Sequence, residues 1–194
     1  ILVYSNQKYD DAWMVDHAVT IRANQWLGSY DQLTLVKGPF GPFFLAVSSK
    51  LGISFLTAEQ SLHTLACVVV VVALAPVLKS SVSRLLLFAA LLFDPISWAA
   101  WTFQRVYRSG LTVSQALIIV ACMSALFLRR DRSLITLLPW SIGAGLGIAS
   151  MWHNREDSVW IMPFVLIATM VLIIGVVVRA VHDLRSRRET TRSV

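Results

Sequence analysis

The stretch SLHTLACVVVVVALAPVL, residues 61–78, decides the fold class. It contains no Asp, Glu, Lys or Arg. A hydrocarbon core about 30 Å thick is crossed by roughly 20 helical residues, so an uncharged apolar run of this length predicts a transmembrane helix.

Four further segments are also long and apolar enough to cross such a core. They lie near residues 84–103, 111–128, 134–152 and 158–178. The connections between them are short, so neighbouring helices must run antiparallel. The GAGLG stretch inside the segment at 134–152 indicates close helix packing, not a nucleotide-binding loop. The predicted fold is therefore an all-α, polytopic transmembrane helix bundle of about five spans.

The composition also indicates a membrane protein. Of the 194 residues, 56% are hydrophobic and 14% are charged, whereas a soluble domain carries about 25% charged residues. The formal net charge of +6 is interpreted as a determinant of topology, so no nucleic-acid partner is expected. Cys67 and Cys122 lie inside apolar runs and are predicted to be buried small hydrophobic residues.

Residues 1–60 mix aromatic residues, charges and turn signals, and hold no convincing span. Asp10 is a candidate N-cap of a helix that Gly28 would end. A second short helix is predicted over residues 41–51, with Gly52 closing it. Both helices suit the membrane surface better than a crossing, so this region is predicted to be an extracytoplasmic loop region with amphipathic helices.

Basic residues predict the orientation of the bundle, because cytoplasmic loops carry an excess of Lys and Arg. Ten such residues lie in alternate connections and in the tail: Lys79, Arg84, Arg129, Arg130, Arg132, Arg179, Arg185, Arg187, Arg188 and Arg192. Only three lie in the opposite short loops: Arg105, Arg108 and Arg155. The expected organisation is an outer region at 1–60, a bundle at 61–178 and a basic cytoplasmic tail at 179–194, in a multi-pass protein of the bacterial inner membrane.

This topology places several charged residues on one outer face. Carboxylates can act as a base or a metal ligand, and guanidinium groups can hold a phosphate. The candidate catalytic residues are Asp10 and Asp11. The candidate substrate-binding residues on this face are Lys37, Arg105, Arg108, Arg155 and Glu156.

Each of these candidates also has a structural interpretation. Asp10 and Asp11 can cap a helix and complement its dipole. Arg105 and Arg108 can anchor the chain at the membrane interface. The loop around Arg155 can be a solvated turn with an ion pair worth at most about 1 kcal/mol. The residues alone leave these alternatives open.

Asp94 is the last candidate for substrate binding. It lies in the middle of LLLFAALLFDPISWAAW, residues 85–101, where a carboxylate costs about 2.5–3.5 kcal/mol on insertion scales. Pro95 follows it and would loosen the helix. The expectation is a kinked helix with Asp94 turned towards a cavity or a partner.

Four stretches resemble a known family: YDDAW (9–13), LVKGPFGPFFLAVSSKLG (35–52), RVYRSGL (105–111) and NREDSVWIMP (154–163). They are similar to polytopic type C glycosyltransferases related to the dolichyl-phosphate-mannose protein mannosyltransferases. The resemblance implies a truncated bacterial member of that family. The resemblance covers most of the chain. It implies a polyprenyl-phosphate-linked sugar as donor and a catalytic acid in the first outer loop, at Asp10 or Asp11.

The expected function is therefore transfer of a sugar from a polyprenyl-phosphate carrier to an acceptor hydroxyl, in contact with membrane lipid. A divalent cation, Mg²⁺ or Mn²⁺, on Asp10 and Asp11 is an open alternative, with no certain cofactor. A non-enzymatic protein, either a transferase half or an assembly subunit, is the main alternative function. A transporter built around Asp94 is the weaker one. Further transmembrane segments or a partner subunit are also expected.

Overall fold

The computed structural model describes residues 10–26, 37–94, 108–155 and 158–192, and these residues form helices and no strand. Seven α-helices follow one another: α1 (Asp10–Arg22), α2 (Phe40–Lys50), α3 (Phe55–Leu74), α4 (Ser81–Leu92), α5 (Ser109–Leu128), α6 (Leu134–Trp152) and α7 (Met162–Arg192). A 3₁₀ segment, Ser158–Ile161, leads into α7. The predicted all-α class is confirmed.

Among the described residues, four stretches of helix are long and apolar enough to cross a membrane. They are α3, α5, α6 and the stretch Ser158–Val178, which includes the start of α7. The predicted span at 84–103 corresponds to α4, which is apolar but only 12 residues long. The end of that predicted span, from residue 95, lies outside the described residues.

The first predicted span is displaced along the chain. The prediction was 61–78, whereas α3 runs from Phe55 to Leu74. The early start has a local cause: the hydroxyl of Ser54 accepts a hydrogen bond from the Thr57 N–H at 3.1 Å, and serine is a favoured N-cap. The last residues of the predicted outer region therefore belong to this helix.

Arginine side chains hold the other end of α3. Pro76 has no N–H to offer to the Val72 carbonyl. Arg129 supplies donors instead, from Nη2 to Val72 O at 2.6 Å and from Nη1 to Ala73 O at 2.7 Å. Arg84 donates to two carbonyls of the following turn, at 2.7 and 3.1 Å. A positive charge at this position also complements the helix dipole.

Helix α5 lies at the centre, between α3 and α6. The contact with α6 passes through the first and last glycines of GAGLG, Gly143 and Gly147. A Cβ at Gly143 would lie 2.8 Å from Cys122 Sγ, and one at Gly147 would lie 2.9 Å from Ile119 Cγ1. Small residues thus let the two helices approach closely, as predicted. Cys67 and Cys122 are buried and free, which confirms that prediction.

Helix α2 ends as the sequence predicted. Gly52 has a φ of +72°, in the left-handed region that favours glycine. Its N–H donates to Ser49 O at 3.1 Å, and the N–H of Ile53 donates to Ser48 O at 2.9 Å. These two bonds form a Schellman motif, which satisfies carbonyls at the helix end.

Helix α1 ends in the same motif, but not at the predicted residue. The prediction placed the stop at Gly28, whereas Asn24 takes the left-handed conformation with a φ of 60°. The N–H of Asn24 donates to Ile21 O at 3.1 Å, and the N–H of Gln25 donates to Thr20 O at 2.9 Å. Asparagine tolerates this conformation, so it can replace glycine as the stop. Gly28 itself lies outside the described residues.

Much of the surface of α6 and α7 is apolar. Leu134 and Ile135 at the start of α6 are 84% and 85% exposed. Large apolar side chains are also exposed along α7, as far as Val181. A soluble protein would not expose a surface of this size to water, but lipid can cover it. The chain is a membrane protein with several helices able to span the bilayer.

The bundle has two chemically different ends. The polar end gathers the starts of α3 and α5 with the ends of α4 and α6. The basic end gathers the opposite termini of the same helices. It carries five cationic residues: Lys79, Arg84, Arg129, Arg130 and Arg132. Because neighbouring helices run antiparallel, the polar end and the basic end lie at opposite ends of the bundle.

Two glycine substitutions should shift stability in opposite directions. Neither Gly52 nor Gly145, in the middle of α6, would place a new Cβ within 4 Å of any neighbour. Gly52→Ala should lower the free energy of unfolding by about 1 kcal/mol. Alanine, unlike glycine, is strained in the left-handed backbone conformation of this position. Gly145→Ala should raise it by up to about 1 kcal/mol, because alanine is the better helix former. Unfolding both variants in one detergent tests this, and shifts of the same sign would contradict it.

Candidate functional site

The polar end is closed by the start of α2, which rests on the loop after α6. The N–H of Phe40 donates to His153 O at 2.8 Å. Gly38 approaches the same carbonyl so closely that any Cβ would overlap it. The Gly-Pro stretch around Lys37 therefore lies at the end of α6.

Asn154 is the hub of the polar end. Its side chain is completely buried, with 0% exposure. The Nδ2 atom lies 2.9 Å from Arg108 O, 3.1 Å from Gln115 Oε1 and 3.3 Å from Thr112 Oγ1. One amide thus joins the loop after α6 to the first two turns of α5.

Arg108 and Arg155 lie on either side of this contact. Arg108 is 4% exposed, and its Nη1 donates to Asn154 O at 3.4 Å. Arg155 donates from Nη1 to the hydroxyl of Ser109. The two predicted phosphate-binding residues are therefore brought together. The burial of Arg108 does not fit its alternative interpretation as an interfacial anchor.

Glu59 points into the same region from α3. It is 8% exposed, and its carboxyl group packs against the backbone of Gly110 in the first turn of α5. A Cβ at Gly110 would lie 2.6 Å from Glu59 Cδ and would overlap Oε1. The start of a helix is electropositive, so it is a favourable place for a carboxylate.

Sequence reasoning did not select Glu59 as a site residue. It counted Glu59 among the outer acids, because the first span was predicted to begin at residue 61. The signal that could have found it is helical spacing: Glu59, His63 and Ala66 recur at intervals of four and three, and all three are buried. An acid on the buried face of a span is a functional candidate by default.

Asp94 lies at the polar end, but not inside a helix. The described helix α4 ends at Leu92 and Phe93 is its C-cap. The chain after Asp94 lies outside the described residues, so the predicted kinked helix around this residue stays a prediction. Pro95 cannot donate a backbone hydrogen bond, which fits an end at this point. One turn earlier, Leu91 O lies 3.2 Å from Nε2 of His63. Asp94 itself is half-buried.

Helix α1 is fixed to the polar end by two buried side chains. Trp13 and Met14 are buried and pack in one cluster with Phe55 and Leu111. The Lys37 Nζ lies 5.6 Å from the centroid of the Trp13 ring. A cation over an indole ring at this distance is attracted to it. Lys37 is thus held at the polar end of the bundle.

Four predicted site residues are not tested by these contacts. Asp10 and Asp11 form the first turn of α1, one turn before Trp13, but their side chains lie outside the described part. Arg105 and Glu156 lie outside the described residues altogether. The general-base role of the acidic pair and the binding roles of the other two stay predictions.

Several buried polar atoms at this end have no hydrogen-bond partner among the described residues. They are Trp13 Nε1, Glu59 Oε2, Gln115 Nε2, Asn154 Oδ1 and Ser158 Oγ. Buried polar atoms in native proteins nearly always have a partner, which can be a water or a ligand. The set contains both donors and acceptors, so a ligand with hydroxyl groups and anionic oxygens would match it.

The described residues offer no ready-made metal centre. No three His, Cys, Asp or Glu side chains within them come together as a metal-binding group. The divalent cation considered for Asp10 and Asp11 depends on side chains outside this part, so it stays a prediction.

Comparison with known protein families, curated proteins and solved structures finds no significant match to this chain. The interpretation of the polar end therefore rests on its own residues.

Replacing Asn154 should destabilise the protein strongly. Asn154→Leu leaves the buried Gln115 Oε1 without its donor. It also removes one of two donors to Arg108 O, which keeps the Leu111 N–H at 3.3 Å. The expected loss is about 1–3 kcal/mol in the free energy of unfolding, the cost of one unsatisfied buried group. The exposed Asn24, when changed to Gly, serves as a control and should be close to neutral. A loss below 1 kcal/mol for Asn154→Leu would contradict its role as the hub.

Gly110 and Glu59 should be energetically coupled. Gly110→Ala should destabilise the wild-type background, because the new Cβ overlaps the buried carboxyl group. In a Glu59→Ala background the same change should be nearly neutral, because the overlapping group is gone. A double-mutant cycle measured by unfolding in detergent should give a coupling energy of about 1 kcal/mol or more. Additive effects would show that the two residues do not meet.

Proposed function

We propose that this chain is a membrane glycosyltransferase that moves a sugar from a polyprenyl-phosphate carrier to an acceptor hydroxyl. The observation that carries the proposal is the convergence of Lys37, Arg108 and Arg155 at the polar end, from three separate segments. Cationic side chains beside a helix N-terminus form a favourable environment for a phosphate. An arginine has five N–H donors, so one that holds a backbone carbonyl can bind a phosphate as well.

The buried polar atoms around Asn154 give a second line of support. A sugar phosphate presents hydroxyl groups, which donate and accept, and phosphate oxygens, which only accept. Trp13 Nε1 and Gln115 Nε2 are donors, while Glu59 Oε2 and Asn154 Oδ1 are acceptors as the amide is oriented. Such a mixture suits a polyhydroxylated anion better than an inorganic ion or an apolar ligand.

The proposed reaction needs a base and a leaving group. Asp10 or Asp11 would accept the proton of the acceptor hydroxyl as its oxygen forms a bond to the anomeric carbon of the sugar. The bond from that carbon to the phosphate oxygen breaks, and its electron pair leaves with the polyprenyl phosphate. Cationic groups near the phosphate stabilise the negative charge that develops there. The apolar outer faces of the helices would accommodate the lipid chain.

The distribution of charge supports an orientation for this chemistry. Lys and Arg are concentrated in cytoplasmic loops, so we place the basic end in the cytoplasm and the polar end outside. In a bacterial inner membrane, the donor headgroup and the acceptor would then meet at the outer face.

A second candidate function is a non-enzymatic assembly subunit or transferase half. The observation that favours it is the use of both arginines in contacts within the chain. Arg108 holds Asn154 O, and Arg155 holds Ser109. In that case the contacts of the polar end would serve only to pack the helices together, and no phosphate ligand would be required.

Donor binding tests the proposal most directly. We expect saturable binding of polyprenyl phosphate to the purified chain in detergent, measured by native mass spectrometry against phospholipid. Lys37→Gln and Arg155→Gln should each weaken it about tenfold, because a charge-assisted hydrogen bond is worth about 1.5–3 kcal/mol. Lys50→Gln, an exposed charge at the end of α2, is the matched control. Unchanged binding in both site variants would contradict the donor site.

Transfer activity separates the two candidate functions. With a labelled sugar on the polyprenyl carrier, the Asp10→Asn/Asp11→Asn variant should keep donor binding and lose transfer. Full transfer activity in that variant would exclude the acidic pair as the base. A wild-type chain that prefers phospholipid to polyprenyl phosphate would favour the assembly subunit.

A further inference from the structure

An apolar groove lies on the opposite half of the bundle from the candidate site. It is formed between α3, α5 and α7 and has a volume of about 460 Å³. Its walls include Leu74, Phe127, Phe164, Ala168 and Leu172. Ser124 contributes a hydroxyl to an otherwise apolar lining. The volume is within the range of sites that hold small organic ligands.

The groove has a cationic rim. The guanidinium carbon of Arg130 lies 4.9 Å from the centroid of the Phe127 ring, and Phe127 is a wall of the groove. Arg130 and Arg132 are exposed, and both lie in the turn between α5 and α6. Their neighbour Arg129 is fixed on two carbonyls of α3. The turn thus places cations at the mouth of an apolar cavity.

The charges of this turn are crowded. Burial and the nearby charge of Arg132 both lower the pKa of the Arg129 guanidinium, burial being the larger cause. Residues 129–132 contain three arginines and one acid, Asp131. A bound anion would relieve the repulsion among like charges.

We propose that this groove binds one acyl chain of an acidic membrane phospholipid, with Arg130 and Arg132 holding its phosphate. The helical residues that line the groove belong to candidate membrane spans, so its natural contents are hydrocarbon. The cations lie just beyond the end of α5, at the level of a lipid headgroup. A neutral lipid would fill the groove but would bring no net negative charge to a turn that holds three arginines and one acid. The site is separate from the polar end and does not depend on the proposed transferase activity.

Lipid competition tests the proposal. The full chain is purified in detergent and offered phosphatidylglycerol and phosphatidylcholine with identical acyl chains, and the retained lipid is measured by native mass spectrometry. We expect a preference of about 30-fold for phosphatidylglycerol, since two basic residues near a lipid surface contribute about 1 kcal/mol each. The Arg130→Gln/Arg132→Gln double variant should reduce the preference to about twofold or less.

The groove itself is tested by filling it. Ala168→Phe should reduce retention of both lipids, and Ser124→Leu is a milder alternative if Ala168→Phe does not fold. Ala149→Phe makes the same change on an exposed face of α6 and should have no effect. Lys50→Gln removes a charge at the polar end of the bundle and is the control for the arginine variants at the basic end.

Three results would overturn the proposal. The first is equal retention of the two lipids by the wild type. The second is a phosphatidylglycerol preference that survives the double arginine variant. The third is a groove-filling variant that leaves lipid retention intact but abolishes self-association, which would assign the groove to a second copy of the chain.

Discussion

The polar end depends on one buried amide. Asn154 is the group through which the loop after α6 and the first turns of α5 satisfy each other's polar atoms. In a low-dielectric interior such a contact is strong when complete and costly when broken. Its position decides where α5 begins relative to α6, and hence where Arg108 and Gly110 lie relative to Glu59.

Side chains from distant parts of the sequence bind backbone carbonyls at both ends of the bundle. The last turn of a helix leaves C=O groups without intrahelical partners, and within a membrane there is no water to satisfy them. At the basic end, Arg129 donates to two such carbonyls in the last turn of α3. At the polar end, the amide of Asn154 donates to Arg108 O, which also accepts from the Leu111 N–H in the first turn of α5. Both contacts join helices to segments that are far away in sequence.

The spans could be predicted from apolar runs, because length and absence of charge are local properties. That the segments around Lys37 and Arg155 lie at the same end of the bundle followed from the antiparallel order of the predicted spans. The exact helix boundaries and the contacts of individual side chains did not follow from the sequence. Whether Ser54 or a later residue caps α3 depends on backbone geometry, and that shift moved Glu59 from the predicted outer region into a helix. Asn154 was not selected, because an asparagine in a loop has no pattern that reveals three distant acceptors.

The weak attachment of α7 has a mechanical consequence. Its packing against α5 is confined to the first part of the helix, and beyond Leu172 the side chains described as far as Val178 are almost all exposed. The apolar stretch Ser158–Val178 has 21 residues and is roughly 30 Å long when helical, which matches a hydrocarbon core of about 30 Å. In a thinner membrane this stretch would exceed the hydrocarbon core, and a helix in that situation adapts by tilting. Because α7 forms one wall of the groove, a tilt of α7 in a thinner membrane would change the width of that groove and leave the polar end unchanged.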